Sequence, residues 1–212
     1  MSVEHAAQFR KAIKIYDKTK SINKNDLKTI LTIGALAPSS NGLEPVKLIV
    51  IKDPKLKEQA AMTCIMAGNH QKVKDAPVLV LLLGANSTYL TSEEFLTKRL
   101  GRLFTGEILT KNINGISNYL KTYPNLDMFS DEQAHIVASF MTLQAADLKI
   151  GSSIMGGVTP TQAIPFFQEH NIVDTTKWHL ALGLVFGYYD DNTPGTTFPR
   201  LRIATDEFVT IF

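Results

Sequence analysis

Cysteine is nearly missing from this chain. Of its 212 residues only Cys64 carries a thiol, which excludes an intramolecular disulfide and fits a reducing compartment. A dominant charge is missing too. Twenty-two Lys and Arg face twenty Asp and Glu, and a formal net charge of +2 provides no basic field for nucleic acid. The five histidines, His5, His70, His135, His170 and His179, are scattered without ligand spacing, so no metal site is expected. No apolar run approaches the length of a bilayer span, and the N-terminal M-S-V-E-H-A-A-Q-F-R-K lacks an apolar signal core; a soluble cytoplasmic protein is the expectation. Neither G-x-G-x-x-G nor a Walker loop occurs, which removes the standard phosphate cradles. No Ser/His/Asp or Cys/His set stands in a convincing context. Cys64 lies in A-A-M-T-C-I-M, where a packed core thiol is the simpler account than a nucleophile. Repeats, low-complexity tracts and linkers are absent, and residues 1–212 read as one domain.

What is present is 44% hydrophobic residues, enough for a packed core, arranged around the stretch Ala35–Val50, A-L-A-P-S-S-N-G-L-E-P-V-K-L-I-V. Pro38 stops a helix, because proline has no amide hydrogen and clashes with the preceding turn. Ser39, Ser40 and Asn41 supply short polar side chains, and Gly42 admits a backbone angle closed to other residues. Val46–Ile51 then reads as a buried strand. The loop is either punctuation or a pocket rim that wraps a polar ring system.

Residues 3–16 carry apolar side chains at roughly helical spacing, which would put Arg10 and Lys14 on one face. Residues 1–28 hold a local excess of four positive charges, and a solvated face is the plainer explanation of it. Asn23 with Asp26 opens a helix with Leu27, Ile30, Leu31, Gly34 and Ala35 inward. Asp53-Pro54 starts another, to about Met66. Residues 68–76 read as a polar connector, and Pro77–Leu83 as a strand covered on both faces. Residues 92–121 are helical in composition but interrupted by Gly101, Gly106 and Gly115, and Tyr119–Ser130 resembles a loop. Ser130 is expected to cap a helix over 131–149, with a broad buried face including Ile136, Val137, Phe140, Met141, Leu143 and Leu148. Then come a strand Ser152–Met155, Gly156-Gly157, a helix from Thr159-Pro160 to about His170, and a strand His179–Tyr188. Asp206–Phe212, D-E-F-V-T-I-F, reads as a terminal strand whose backbone needs a partner. Arg10 and Lys14 near one end, with Arg200 and Arg202 near the other, would suit a phosphate monoester if they converged.

Five features in order carry a resemblance. They are R-x-x-x-K (Arg10, Lys14), the P-S-S-N-G-L-E-P loop, N-x-x-K before D-A (Asn69, Lys72, Asp75-Ala76), Gly156-Gly157 after a short strand, and R-x-R (Arg200, Arg202) before the terminal strand. From about residue 5 to 212 the chain is similar to the FMN-dependent nitroreductase family. The resemblance implies an α+β fold with a mainly antiparallel sheet flanked by helices, and a homodimer exchanging C-terminal strands. It implies tightly bound FMN, reduced by NADH or NADPH and reoxidised by nitroaromatics, quinones or a related acceptor in a ping-pong cycle. Arg10, Lys11, Lys14, Arg200 and Arg202 would surround the phosphate and ribityl chain, and Asn69 and Lys72 the pyrimidine edge. Ser39, Ser40 and Asn41 would reach the partner's flavin, and the amides of Gly156 and Gly157 would lie near N5. No side chain need be a nucleophile. Departures occur at Ala12, where the family often has serine, at Glu44 for glutamine, at Val46 for tryptophan, and at Gly156 for a glutamate of one branch. These leave open a specialised reaction such as enoate reduction or flavin breakdown, or a non-catalytic flavin binder.

Overall fold

The structure, a computed structural model, describes residues 2–212. Its centre is a four-stranded antiparallel sheet of order β1-β2-β4-β3, with β1 at Val46–Ile51, β2 at Val78–Ala85, β3 at Gly151–Met155 and β4 at Trp178–Gly187. The helices are α1 (Val3–Phe9), α2 (Lys24–Ala35), α3 (Pro54–Cys64), α4 (His70–Asp75), α5 (Ser87–Leu90), α6 (Glu93–Leu100), α7 (Gly106–Leu120), α8 (Leu126–Asp147), α9 (Pro160–Glu169) and α10 (Thr205–Phe208). Among the described residues no helix is long and apolar enough to cross a membrane.

The apolar run of β2 is buried throughout because the sheet is covered on both sides. Leu79, Leu81 and Leu83 pack with Ala60, Ala61 and Cys64 of α3 and with Ala163, Phe166 and Phe167 of α9. Val78, Val80 and Leu82 alternate to the other face, against Ile30 of α2 and Ala134, Ala138, Met141 and Ala145 of α8. A third cluster closes the end of the sheet, where Tyr89, Phe95, Leu96, Leu100 and Leu120 pack around Phe129. The expected α+β architecture, an antiparallel sheet flanked by helices, is what forms.

Several boundaries differ from expectation, each for a tertiary reason. α1 stops at Phe9, and Arg10 leaves it at φ −59°, ψ 121°. Residues beyond it are drawn out of helix because Ile13 and Tyr16 are buried against the sheet and Ile13 N donates to Ser152 O at 3.0 Å. Arg10 and Lys14 therefore do not share a helix face. The polar connector 68–76 contains α4, anchored by buried Val73. α8 begins five residues early, capped by Asn125, whose Oδ1 accepts from Asp127 N and Met128 N at 3.0 and 3.2 Å. Ser130 is not a cap; it is fully buried and donates to Ala85 O at 2.7 Å. Gly115 lies inside α7, and the 92–121 stretch breaks only between Leu100 and Gly106. Gly151 opens β3, while Lys149 takes the left-handed turn after α8 at φ 59°. Asp206–Phe212 forms no strand in this chain. It holds part of α10, contributes no buried residue, and leaves Phe208, Ile211 and Phe212 exposed. The predicted face of α8 is also incompletely covered, with Phe140 exposed and Ile136, Val137 and Leu143 half-buried.

Candidate functional site

The β3 edge of the sheet brings the two ends of the chain together. After α1 the backbone runs beside β3, with Ala12 bridged to Ser152. Lys14 N then donates to Thr196 O at 2.8 Å, which fastens this segment to the loop following β4. Arg10, Lys11, Ala12 and Lys14 thereby form one side of a cleft of about 160 Å³ whose other side is Phe198, Pro199, Arg200 and Arg202. The two basic clusters do converge.

Charge in this cleft is poorly compensated. Burial, then the positive charges of Arg200 and Arg202, hold the Arg10 guanidinium below its ordinary pKa. Lys11 is neutralised by Asp191 at 2.9 Å. Arg200 donates to Ala7 O and Gln8 O at 2.6 and 3.0 Å, closing the C-terminal carbonyls of α1. Among the described residues Arg202 donates only to the carbonyl of Leu201, at 2.6 Å. The Lys14 ammonium lies 5.8 Å from the centroid of the Phe198 ring.

Lys72 extends the cluster inward from the last turn of α4. It is 9% exposed and, among the described residues, its ammonium has no hydrogen-bond acceptor and no carboxylate partner. Burial and the neighbouring Lys14 depress its pKa. A nearly buried cation of this kind is costly unless an anion or acceptor meets it. Asn69 stands one turn earlier, and a Cβ on Gly157 would approach its Nδ2 and the Met66 sulfur to 3.3 Å. Gly157 O accepts from Met66 N at 2.9 Å, so the turn after β3 is tied to the turn before α4. Among the described residues the Gly156 and Gly157 amides have no acceptor, and the space over Gly156 is open. Asn69, Lys72, Gly156 and Gly157 thus form one neighbourhood, joined through Lys14 to the cleft.

Ser39, Ser40 and Asn41 are not part of it. They form a tight turn before β1, at the edge of the sheet opposite β3; three strand spacings amount to roughly 14 Å. Ser39 Oγ accepts from Glu44 N at 2.9 Å, and Ser40 N donates to Gln133 Oε1 at 2.9 Å. Asn41 and Glu44 both have positive φ, 55° and 45°. Sequence reading missed Phe198 in the cleft, Thr196, which anchors Lys14, and Asp191, which pairs with Lys11; the only signal was their placement in the polar loop that leads to Arg200. It also missed Arg99 and Gln133 beside the Ser39 turn, for which the sequence held no signal. Cys64 is fully buried and its thiol is pushed up to about 11 by burial, as fits a core residue.

The fold is that of an α+β protein with a cationic cleft, and comparison with known proteins gives its family. The model of the nitroreductase family matches residues 7–188, and the chain belongs to that family. A Staphylococcus haemolyticus protein named "putative NAD(P)H nitroreductase" is 28% identical over 195 residues, covering 88% of each chain. The crystal structure of a nitroreductase family protein from Streptococcus pneumoniae superposes with a TM-score of 0.78 at 23% identity, over 98% of both chains. An Exiguobacterium sibiricum structure, in complex with FMN, has a TM-score of 0.77 at 18% identity and covers 100% of this chain and 98% of its own.

Proposed function

We propose that the protein is an FMN-dependent NAD(P)H oxidoreductase whose electron acceptors are nitroaromatics, quinones or related electron-poor compounds. One observation carries this reading: cations from three distant segments, Arg10 and Lys14, Lys72, and Arg202, converge without a carboxylate and end in a nearly buried ammonium. A phosphate at one end and an anionic ring at the other would satisfy that row of charge. The residues present fit FMN, as do the unbonded amides of Gly156 and Gly157 and the open space above Gly156.

When bound, FMN supplies reversible two-electron chemistry, taking hydride from NAD(P)H and returning electrons to an acceptor in alternation. The protein's own part is to bind, orient and tune. Arg10 and Arg202 hold the phosphate, with Lys14 beside the ribityl chain. Arg200 chiefly closes α1, which sets the position of Arg10, and Lys11 is engaged by Asp191. Lys72 places positive charge against the pyrimidine edge, favouring the reduced anion, and Asn69 offers an amide beside it.

The active form is a homodimer of single-domain chains in the cytoplasm. Support comes from the exposed apolar tail, the uncovered Phe140 face of α8 and the distance of the Ser39–Asn41 turn from its own cationic cleft. In this reading the turn completes the partner's site. Anaerobic addition of NADPH to the FMN-loaded protein tests the function. Bleaching of the yellow colour, reversed by a nitroaromatic, is the expected result. A protein that stays yellow with both NADH and NADPH is a flavin binder instead.

A further inference from the structure

Arg99 is a further poorly satisfied cation, and it belongs to a different cavity. It lies in the last turn of α6, with its side chain one-fifth exposed and its guanidinium carbon 5.3 Å from the centroid of the buried Phe95 ring. Its side chain donates no hydrogen bond among the described residues, and Nε is buried without a partner. Among the described residues the opposite charge nearby is Glu44, at 3.9 Å, too far for a hydrogen bond. Glu44 is held elsewhere. Arg102 donates to its Oε2 at 2.8 Å, to Gly42 O at 3.1 Å, and through Nε to Arg99 O at 3.0 Å. Two guanidiniums and one carboxylate leave one positive charge over, and the geometry leaves it on Arg99.

Arg99 lines a cavity of about 170 Å³ between the Ser39 turn, β1, α2 and α8. Ala35, Pro38, Val46, Leu48 and Val137 make its apolar walls, and Glu44 also lines it, with its Oε2 held by Arg102. Ser39 joins Arg99 at the polar end: its Oγ accepts from Glu44 N, and among the described residues its own proton has no acceptor. Gln133 also lines the cavity but is already used, accepting from Ser40 N and donating to Phe129 O. The free donors are therefore a guanidinium and a hydroxyl, set in an apolar chamber a few carbons across.

We propose that this cavity is a carboxylate subsite, and that the acceptor reduced by the enzyme carries a carboxylate on a compact apolar or aromatic body. Arg99 takes the carboxylate with Ser39 as second donor, Arg102 holds Glu44 so that it competes only weakly, and the walls select the body. The carboxylate undergoes no chemistry. The inference rests on the oxidoreductase reading, because it ties the subsite to the turn expected to meet the partner's flavin.

The test compares 4-nitrobenzoate with methyl 4-nitrobenzoate as acceptors of the FMN-loaded enzyme. Each nitro group takes two electrons from NAD(P)H and two protons, giving the nitroso compound and water. A charge-assisted contact predicts a kcat/KM ratio of acid to ester of roughly tenfold to a hundredfold. Arg99→Gln should collapse that ratio and Arg99→Lys restore only part of it, since an ammonium lacks the planar fork. Glu44→Gln should raise it by removing the competing anion, an effect that impaired folding would not produce. Equal use of acid and ester by the wild type, or an undiminished ratio in Arg99→Gln, overturns the proposal while leaving the oxidoreductase reading intact. Calorimetry with benzoate separates the two in the other direction. Arg99-dependent binding by a protein that NADPH fails to bleach keeps the subsite and removes the function. Wild type that ignores benzoate but binds it after deletion of Ile211-Phe212 would assign Arg99 to the C-terminal carboxylate of a second copy, and would also overturn the proposal.

Discussion

In the proposed reading Arg10 and Arg202 share the FMN phosphate, and removing either should be felt directly. Loss of one charge-assisted phosphate contact costs on the order of 2–3 kcal/mol, a weakening of FMN binding from roughly thirtyfold to somewhat over a hundredfold. Arg10→Ala and Arg202→Ala should each purify folded and largely colourless, with the loss read by fluorescence titration of FMN. Lys72 acts differently. Its replacement by Met should leave FMN bound but lower the flavin midpoint potential, measured by reductive titration against a reference dye. In FMN-free protein the same change should stabilise. Burial and Lys14 depress the folded pKa of Lys72, so the unfolded chain binds the proton more tightly. The penalty is complete below the folded pKa and vanishes as pH rises past the unfolded value of about 10.5. Urea unfolding should therefore show Lys72→Met ahead of wild type at neutral pH, with the gap closing above pH 10.

α8 illustrates how an element is set by its ends as well as by its stripe. Asn125 satisfies two amides at its start, and Asn125→Ala should destabilise the protein by about 1 kcal/mol in denaturant unfolding. A change of several kcal/mol would mean that the cap also orders the turn between α7 and α8. Most elements were legible in the sequence. β2 announced itself as an apolar run, and Asn23, Asp53 and Pro160 marked helix starts found in place. The α8 start was not legible, because Pro124 and the polar residues around it imitate a loop while Ser130 imitates a cap. Burial decided against both, since Ser130 and Phe129 lie wholly inside. α1 was read too long for the opposite reason. Helical spacing continues to Tyr16, but Ile13 and Tyr16 are claimed by the sheet.

On the scale of the whole molecule, the conspicuous feature is apolar surface left in water by the last dozen residues. Leu201 is 83% exposed and Ile211 89%. Burying three such side chains contributes roughly 5–8 kcal/mol, enough to drive the tail onto a second chain. Its backbone there would meet the edge of the partner's sheet, which this chain's own tail does not reach. Deleting residues 206–212 should yield monomer or aggregate by light scattering and release FMN with it. A truncated protein that remains a yellow dimer would locate the interface elsewhere, with the uncovered face of α8 the first place to look.

The sequence by itself determined the composition of the core, the four strands of the sheet, most of the helices and the family, because these depend on periodicity, punctuation and short local patterns. It also named Arg10, Lys14, Lys72, Asn69, Gly156, Gly157 and Arg202 through the order in which they occur. Only the tertiary structure decided that the N-terminal and C-terminal cations meet. That meeting depends on one extended segment, pinned between Ser152 O and Thr196 O, and no local signal specifies such a long-range pairing. The same holds for the different fates of similar residues: Arg200 turned to the end of α1, Lys11 paired with Asp191, Lys72 and Arg99 left with charge to spare. Which cation keeps its charge free is settled by what packs beside it, and that is fixed only when the chain has folded.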